Sequence, residues 1–269
     1  MTYMTKEAIM NRLHEHYTHA RKKGNGELFA IFLQGSQNYI EDLFFEKSDV
    51  DSRAVYLPTM RDICLEKDIS LPEAILENGE HIDRFDVRKF LKLLKTPGIN
   101  NYESLFTEYV LVNPKYQKEF DELIAIREEI AYSKRKRFLM AMMGVSKRDL
   151  MSLQKRTGGE DYDIERFGYS RKRLSNIIRF NRTVKAYIDN KPFSECLKSM
   201  DQKLIHKIRR TEYYTLEEAL EIANKTDDET KRLAQEFCED VDYSSLNNVT
   251  SQLEDIFVDL MTKGAGFKV

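Results

Sequence analysis

The chain has 269 residues, a formal net charge of −2, 41% hydrophobic and 33% charged residues. That length buries a sizeable core in one large domain or two smaller ones, and near-neutrality excludes a global basic field that recruits nucleic acid. No apolar run approaches the ~20 residues of a membrane span. Three scattered cysteines, Cys64, Cys196 and Cys238, form neither a metal spacing nor a disulfide framework, which implies a reducing cytoplasm.

The N-terminal segment MTYMTKEAIMNRL lacks the apolar stretch of a signal peptide and reads as the start of a helix. The spacing predicts that helix over 5–23, with Thr5 as cap and Ile9, Leu13, His16 and Tyr17 as the buried stripe. Gly24-Asn25-Gly26 ends it, and a strand follows over 28–33. After Gly35-Ser36, residues 38–45 read as a short helix or loop leading into a strand over 50–57, which Pro58 and Thr59 break. A polar excursion reaches Asn78-Gly79, a third strand is expected over 80–85, and a helix begins after Asp86, with Val87, Phe90, Leu91 and Leu94 on one face. Beyond Pro114 the chain turns helical, with amphipathic segments at 115–132, 133–153, 170–189, 192–210, 215–225 and 244–261 and a frayed tail.

The chemistry concentrates between Phe29 and Leu57, FAIFLQGSQNYIEDLFFEKSDVDSRAVYL. Successive strand side chains point to opposite faces, so Asp49 and Asp51 project together while Val50 turns into the core. Two neighbouring carboxylates repel unless a cation neutralises them, and hard oxygen ligands suit Mg2+. The Gly35-Ser36 turn offers backbone N–H groups and a hydroxyl, a cradle for phosphate. Metal and phosphate at one strand end are the equipment of phosphoryl or nucleotidyl transfer.

Gly35-Ser36 followed by Asp49-x-Asp51 resembles the signature of the nucleotidyltransferase superfamily that includes DNA polymerase beta. The longer reading GSQNY…SDVDSRAVYLP is similar to the YcgL-like predicted nucleotidyltransferases, with Tyr39, Ser48, Arg53, Val55 and Tyr56 in place. Ile40 and Ala54 stand where that family has glycine. The resemblance implies an α+β fold, in which a small mixed sheet flanked by helices (1–114) precedes an all-helical portion (115–269) that completes the cleft. It also implies Mg2+ or Mn2+ as metal, an NTP as co-substrate, and a third carboxylate from a neighbouring strand. Asp83 is the choice for that ligand and Asp86 the alternative, with a helix cap as the competing reading of Asp86. DVRKFLKLLKTPGINNYESLF also follows the family, with Glu103 in its acidic place, where packing or capping is the favoured role.

Gly168-Tyr169-Ser170-Arg171-Lys172-Arg173 and the residues through Phe180 are similar to the family's GYDxKxAxHxxRLL segment, with Ser170, Leu174 and Asn176 departing from it. Lys172, Asn176 and Arg179 are spaced by four and three and share a helix face. Such a cationic stripe suits a triphosphate or its leaving pyrophosphate; a solvated helix face is the competing reading.

Other features carry less. His14 and His16 of the HEHYTH tract lie ~200° apart on a helix, so packing or surface roles are expected. The basic run Lys134-Arg135-Lys136-Arg137, extended by Lys147 and Arg148, suits nucleic-acid phosphates or a solvated face equally. QKRTGG (154–159) reads as a loop. The leading expectation is therefore a metal-dependent nucleotidyltransferase. Its rivals are a non-catalytic nucleotide-sensing or protein-binding module, and an RNA-modifying or RNA-binding protein using the basic helix 134–148. The acceptor stays open among small molecule, RNA and protein hydroxyl, as does the base of the NTP.

Overall fold

A computed structural model describes residues 4–23, 26–40, 48–67, 71–156, 159–198, 201–210, 214–240 and 248–265. Its first helix, α1 (Lys6–Lys23), starts where the Thr5 hydroxyl accepts the Ala8 N–H at 3.1 Å. Ile9, Leu13, His16 and Ala20 are its buried stripe. Strand β1 (Glu27–Gln34) is buried along its interior, and β2 (Asp51–Leu57) is buried after its first residue. Thr59 and Asp62 cap each other's backbone to start the short α2 (Met60–Cys64) inside the polar excursion. A two-residue strand β3 (Ala74–Ile75) precedes β4 (His81–Asp86), and Asp86 caps α3 (Val87–Leu94) by accepting the Arg88 N–H at 2.8 Å. Helix α4 (Ile99–Phe106) and strand β5 (Val110–Val112) complete this half.

The fold is mixed α+β with a single five-stranded sheet, ordered β3-β4-β2-β1-β5. Only the β2–β4 pair is parallel; the others are antiparallel. Alternation sends Ser52, Ala54, Tyr56 and Ile82 toward α1, where they meet Leu13, Ala20, Leu28 and Ile31. The other face carries Phe32 against Phe90 and Phe120, with ring centroids at 5.6 and 6.3 Å. Each of these buried apolar side chains contributes about 1.5–3 kcal/mol.

The chain forms two compact units, Met1–Ser133 with Ser245–Val269, and Lys134–Ser244. The sheet-bearing unit therefore runs past residue 114. Helices α5 (Gln117–Ala125) and α6 (Arg127–Tyr132) belong to it, and Arg127 donates to the Leu105 carbonyl at 3.2 Å. The last helix, α13 (Asn248–Gly264), also returns to it: Phe257 lies 6.1 Å from Phe90, and Lys263 pairs with the buried Glu119 at 2.8 Å.

The second unit is all helical: α7 (Arg135–Met151), α8 (Asp161–Phe167), α9 (Arg171–Ile188), α10 (Phe193–Lys198), α11 (Gln202–Arg210) and α12 (Leu216–Asp240). The segment expected as one helix over 192–210 is two. The helix expected over 215–225 runs on to Asp240, because its continuing buried stripe is small and polar. Ala219, Ala223, Asp227, Thr230 and Ala234 fall at spacings of four, four, three and four, a helical face that apolar periodicity does not register. Asp227 accepts the Ser146 hydroxyl at 2.6 Å, and Thr230 accepts the Asn181 amide at 3.1 Å. The 38–45 segment lies mostly outside the described residues, as does most of the tail. Among the described residues no helix is long and apolar enough to cross a membrane.

Ser146→Ala leaves the Asp227 carboxylate buried and short of a donor. It is expected to cost about 1–3 kcal/mol in urea unfolding, whereas Arg137→Ala, exposed on the same helix, stays within about 0.5 kcal/mol.

Candidate active site

The Gly-Ser turn and the Asp-x-Asp segment meet across the β1–β2 ladder. Gln34 is in register with Asp51, so Gly35 leaves the sheet beside the start of β2. Gly35 has φ 90°, in the left-handed region that favours glycine. A short 3-10 turn, Ser36–Asn38, follows, and the Gln37 side chain reaches the Asp49 carbonyl at 2.5 Å. The first N–H groups of such a turn have no partner within it. Glu103 holds the turn from below: its buried carboxylate accepts the Gly35 N–H at 2.8 Å and the Asn38 amide at 3.0 Å. Thr107 donates in turn to Asn38 Oδ1 at 2.6 Å. The acidic place of the resemblance is thus a support for the phosphate-type turn.

Asp49 and Asp51 are both exposed, and Val50 between them is fully buried. A buried polar network fixes this alternation. Glu80, with no exposed surface, accepts the Val50 N–H at 2.7 Å, the Asn78 amide at 2.7 Å and His16 Nε2–H at 3.0 Å, and it pairs with Arg12. Arg12 also donates to the Ser48 carbonyl at 2.5 Å. His16 Nδ1 lies 2.8 Å from the Ser52 hydroxyl, which donates to it when Nε2 carries the ring proton. Burial, reinforced by the Arg12 and His19 charges, pushes His16 down to about 4, so the ring is neutral at pH 7. Ser52, His16 and Glu80 lie in the order of a hydrolytic triad. All three are sealed from solvent, however, and their role is to clamp α1 and the 48–51 segment together.

Asp83 is opposite Arg53 in the parallel pair and on the same sheet face as Asp51. The Arg53 guanidinium lies 3.4 Å from the Asp83 carboxylate, stacks over Phe85 at 4.5 Å and donates to Ser104 at 3.2 Å. Asp86 is opposite Tyr56, about 16 Å along β2 from Asp51 at ~3.3 Å per residue. There it caps α3 and pairs with Arg88 at 2.7 Å. Of the two candidates for a third carboxylate, only Asp83 shares the end and face of Asp51. His81, which sequence reasoning passed over, precedes Asp83 on that face. Its Nδ1 is held by Glu73 at 2.9 Å, and its backbone donates to the Asp51 carboxylate. The Glu73 hydrogen bond raises the His81 pKa, with Asp51 and Asp49 adding to it. The Asp51 carboxyl is raised despite its surface access, because the packed sheet end withdraws water from it and Asp49 and Glu73 repel its charge.

This donor set decides what the corner can hold. Among the described residues no three His, Cys, Asp or Glu side chains are grouped to bind a metal ion. The Asp49–Asp51 pair remains: two exposed carboxylates, each within the other's field. A pair of carboxylates fits Mg2+, which takes one or two protein carboxylates and fills its remaining positions with water and phosphate oxygens.

The cationic stripe lies in the helical unit. Lys172 is exposed, the Asn176 amide donates to the buried Asp149 at 3.1 Å, and Arg179 is 4% exposed with its guanidinium 4.9 Å from the Phe180 ring. Lys172 is the exposed member of the three, Asn176 is half-buried and Arg179 is buried. Gly168-Tyr169-Ser170 is the hinge between α8 and α9: Gly168 has φ 80° as the left-handed cap of α8, and Ser170 caps α9 by accepting the Arg173 N–H. In the basic run, Arg135 donates to Asn190 and to the Tyr187 carbonyl, while Lys136, Arg137, Lys147 and Arg148 face solvent.

No protein-family model matches the chain, and no curated protein does.

Glu80→Ala leaves the buried His16 and Val50 N–H and the half-buried Arg12 without their carboxylate and is expected to cost about 3–5 kcal/mol. The depressed His16 pKa contributes stability that is full above about 6.5 and is lost as pH falls from there toward 4. Urea unfolding at pH 7 and pH 4.5 is expected to show a loss of about 2–3 kcal/mol that His16→Gln does not share.

Proposed function

We propose that the chain is a metal-dependent nucleotidyltransferase that moves an NMP from an NTP to an acceptor hydroxyl. The observation that carries this reading is the meeting of the Gly35-Ser36 turn with the Asp49–Asp51 pair at one end of the β1–β2 ladder. The resemblance to the YcgL-like nucleotidyltransferases, in GSQNY and SDVDSRAVY, supports it. Asp49 and Asp51 would hold the Mg2+ ion, with Asp83 as the third acidic group on that face. When bound, the ion supplies charge neutralisation for phosphate oxygens and lowers the pKa of the attacking hydroxyl.

The chain's own groups do the rest. The Gly35-Ser36 turn, braced by Glu103 through the Gly35 N–H, would present the Ser36 N–H and hydroxyl to the phosphates. Arg53 keeps Asp83 oriented and adds a fixed positive charge on the same face. The acceptor hydroxyl gives its proton to the carboxylate cluster, and its oxygen forms a bond to the α-phosphorus as the bond from that phosphorus to the bridging oxygen breaks, so that pyrophosphate leaves with the electron pair. Positioning and electrostatics account for the acceleration.

RNA is a second reading, as partner or acceptor, and the four exposed cations of α7 favour it. It requires binding that weakens steeply with salt.

Incubation with each α-labelled NTP, Mg2+ and cell extract is expected to label one acceptor fraction. Asp49→Asn and Asp51→Asn should each reduce labelling by about 10²–10³-fold, while Asp86→Ala costs about 1 kcal/mol of stability as a lost cap and spares turnover. Wild-type labelling by the Asp49→Asn and Asp51→Asn proteins would sink the assignment. Glu103→Ala is expected to weaken Mg2+-dependent NTP binding, read by calorimetry, by about tenfold through a loosened turn.

A further inference from the structure

On the α1 face of the sheet a concavity of about 230 Å3 opens between the last turn of α1 and strands β2, β3 and β4. It lies at Tyr56, near the opposite end of β2 from Asp51. Its floor is apolar: Ala20, Ala74 and Ile82 surround the Tyr56 ring, whose hydroxyl donates to the Ala20 carbonyl at 3.1 Å. Its rim is cationic, made by His19, Lys23 and Arg84. Among the described residues no carboxylate lines it.

Lys23 and Arg84 repel each other across the rim, offset in part by the negative end of helix α1. The repulsion is visible at His19, whose pKa is lowered first by burial and then by the Lys23 and Arg84 charges. Arg84 is already aimed at this space. Its guanidinium lies 5.6 Å from the Tyr56 ring centroid, and its long 3.4 Å contact to the Lys23 carbonyl covers the negative end of helix α1. An anion seated between Arg84, Lys23 and His19 would neutralise the rim through charge-assisted hydrogen bonds. A flat body attached to that anion would lie on Tyr56 and Ile82.

We propose that this concavity binds a small phosphate monoester with an apolar body, its phosphate on the Lys23–Arg84–His19 rim and its body on the Tyr56–Ile82 floor. The volume admits one ring and one phosphate and is below the ~300–1,000 Å3 of sites that enclose drug-sized ligands. The site is separate from the Asp49–Asp51 corner, so it does not rest on the reading of that corner as catalytic. It is a second small-molecule site on the sheet-bearing unit. Helix α1 joins the two places: Ala20 lines the concavity, and His16 and Arg12, one and two turns earlier, hold Glu80 and the 48–51 segment.

Calorimetric titration of the full chain with phenyl phosphate tests this, with inorganic phosphate and phenol as the anion-only and ring-only probes. Phenyl phosphate is expected to bind at least about tenfold more tightly than either probe. Lys23→Gln and Arg84→Gln should each weaken it by about tenfold, the loss of one charge-assisted contact, while Asp49→Asn leaves it unchanged. Lys23 is exposed, so its variant reports on binding even if Arg84→Gln perturbs folding, and circular dichroism melts confirm that both are native. No saturable binding by the wild type overturns the proposal, as does equal binding by the Lys23→Gln protein. Loss of binding in Asp49→Asn alone would place the phosphate at the other corner and also overturn it.

Discussion

Glu80 is an ionisable carboxylate with no exposed surface, and the placement of the candidate site depends on how its burial is compensated. Removing such a group from water costs several kcal/mol unless every lone pair finds a donor. Here the Val50 N–H, the Asn78 amide, His16 and Arg12 supply them. Those donors come from the first helix, the loop before β2 and the turn before β4, segments far apart in the chain. Satisfying one carboxylate therefore fixes α1 against the sheet and fixes the backbone at Val50. With Val50 pinned inward, Asp49 and Asp51 are both exposed on its flanks.

A second buried carboxylate does the same for the phosphate-type turn. Glu103 accepts from Gly35 and Asn38, so α4 sets the conformation of a loop almost seventy residues earlier in the chain. Two interior acids thus hold the two halves of one surface corner. In both cases the functional-looking groups are at the surface while the groups that position them are not. This matches the general requirement that a reactive constellation be pre-organised by a supporting layer of hydrogen bonds. The neutral His16 ring belongs to that layer too, which makes the corner sensitive to acid through a residue that never meets solvent.

The helical unit shows a different use of buried polarity. Asp149 with Asn176, Asp227 with Ser146 and Thr230 with Asn181 lie between the long helices α7, α9 and α12. Polar pairs of this kind specify which helix faces meet, because an unmatched partner would be stranded. They also explain the fate of the stripe at Lys172, Asn176 and Arg179. The spacing places all three on one helical face, but that face is graded: Arg179 is buried, Asn176 is half-buried and serves Asp149, and Lys172 is exposed.

Much was legible in the sequence, because it rests on local physics. A continuous apolar run marked β1 and a short strand-like segment ending at Pro58 marked β2, a threonine and an aspartate marked the starts of α1 and α3, and the Gly-Ser and Asp-x-Asp spacing singled out the corner whose two segments the β1–β2 register brings together. What lacks a local signal was not legible. The strands Ala74–Ile75 and Val110–Val112 are two and three residues long and exist only through their neighbours. Helix α12 hides its buried face in alanine, aspartate and threonine. The sequence favoured Asp83 over Asp86 and read Asp86 also as a cap, and strand pairing then put Asp83 beside Arg53 and Asp86 at the far end of the sheet. Glu80 carries no local sign of burial, because its donors arrive from distant segments. The sequence by itself determined the kinds of elements and the chemistry available at the Gly35–Asp51 corner, since helix and strand periodicity and turn chemistry act over a few residues. The tertiary structure decided which carboxylates stand together, which are buried as supports and that α13 returns to the sheet, because those outcomes depend on long-range pairing and on the cost of leaving a buried charge unmatched.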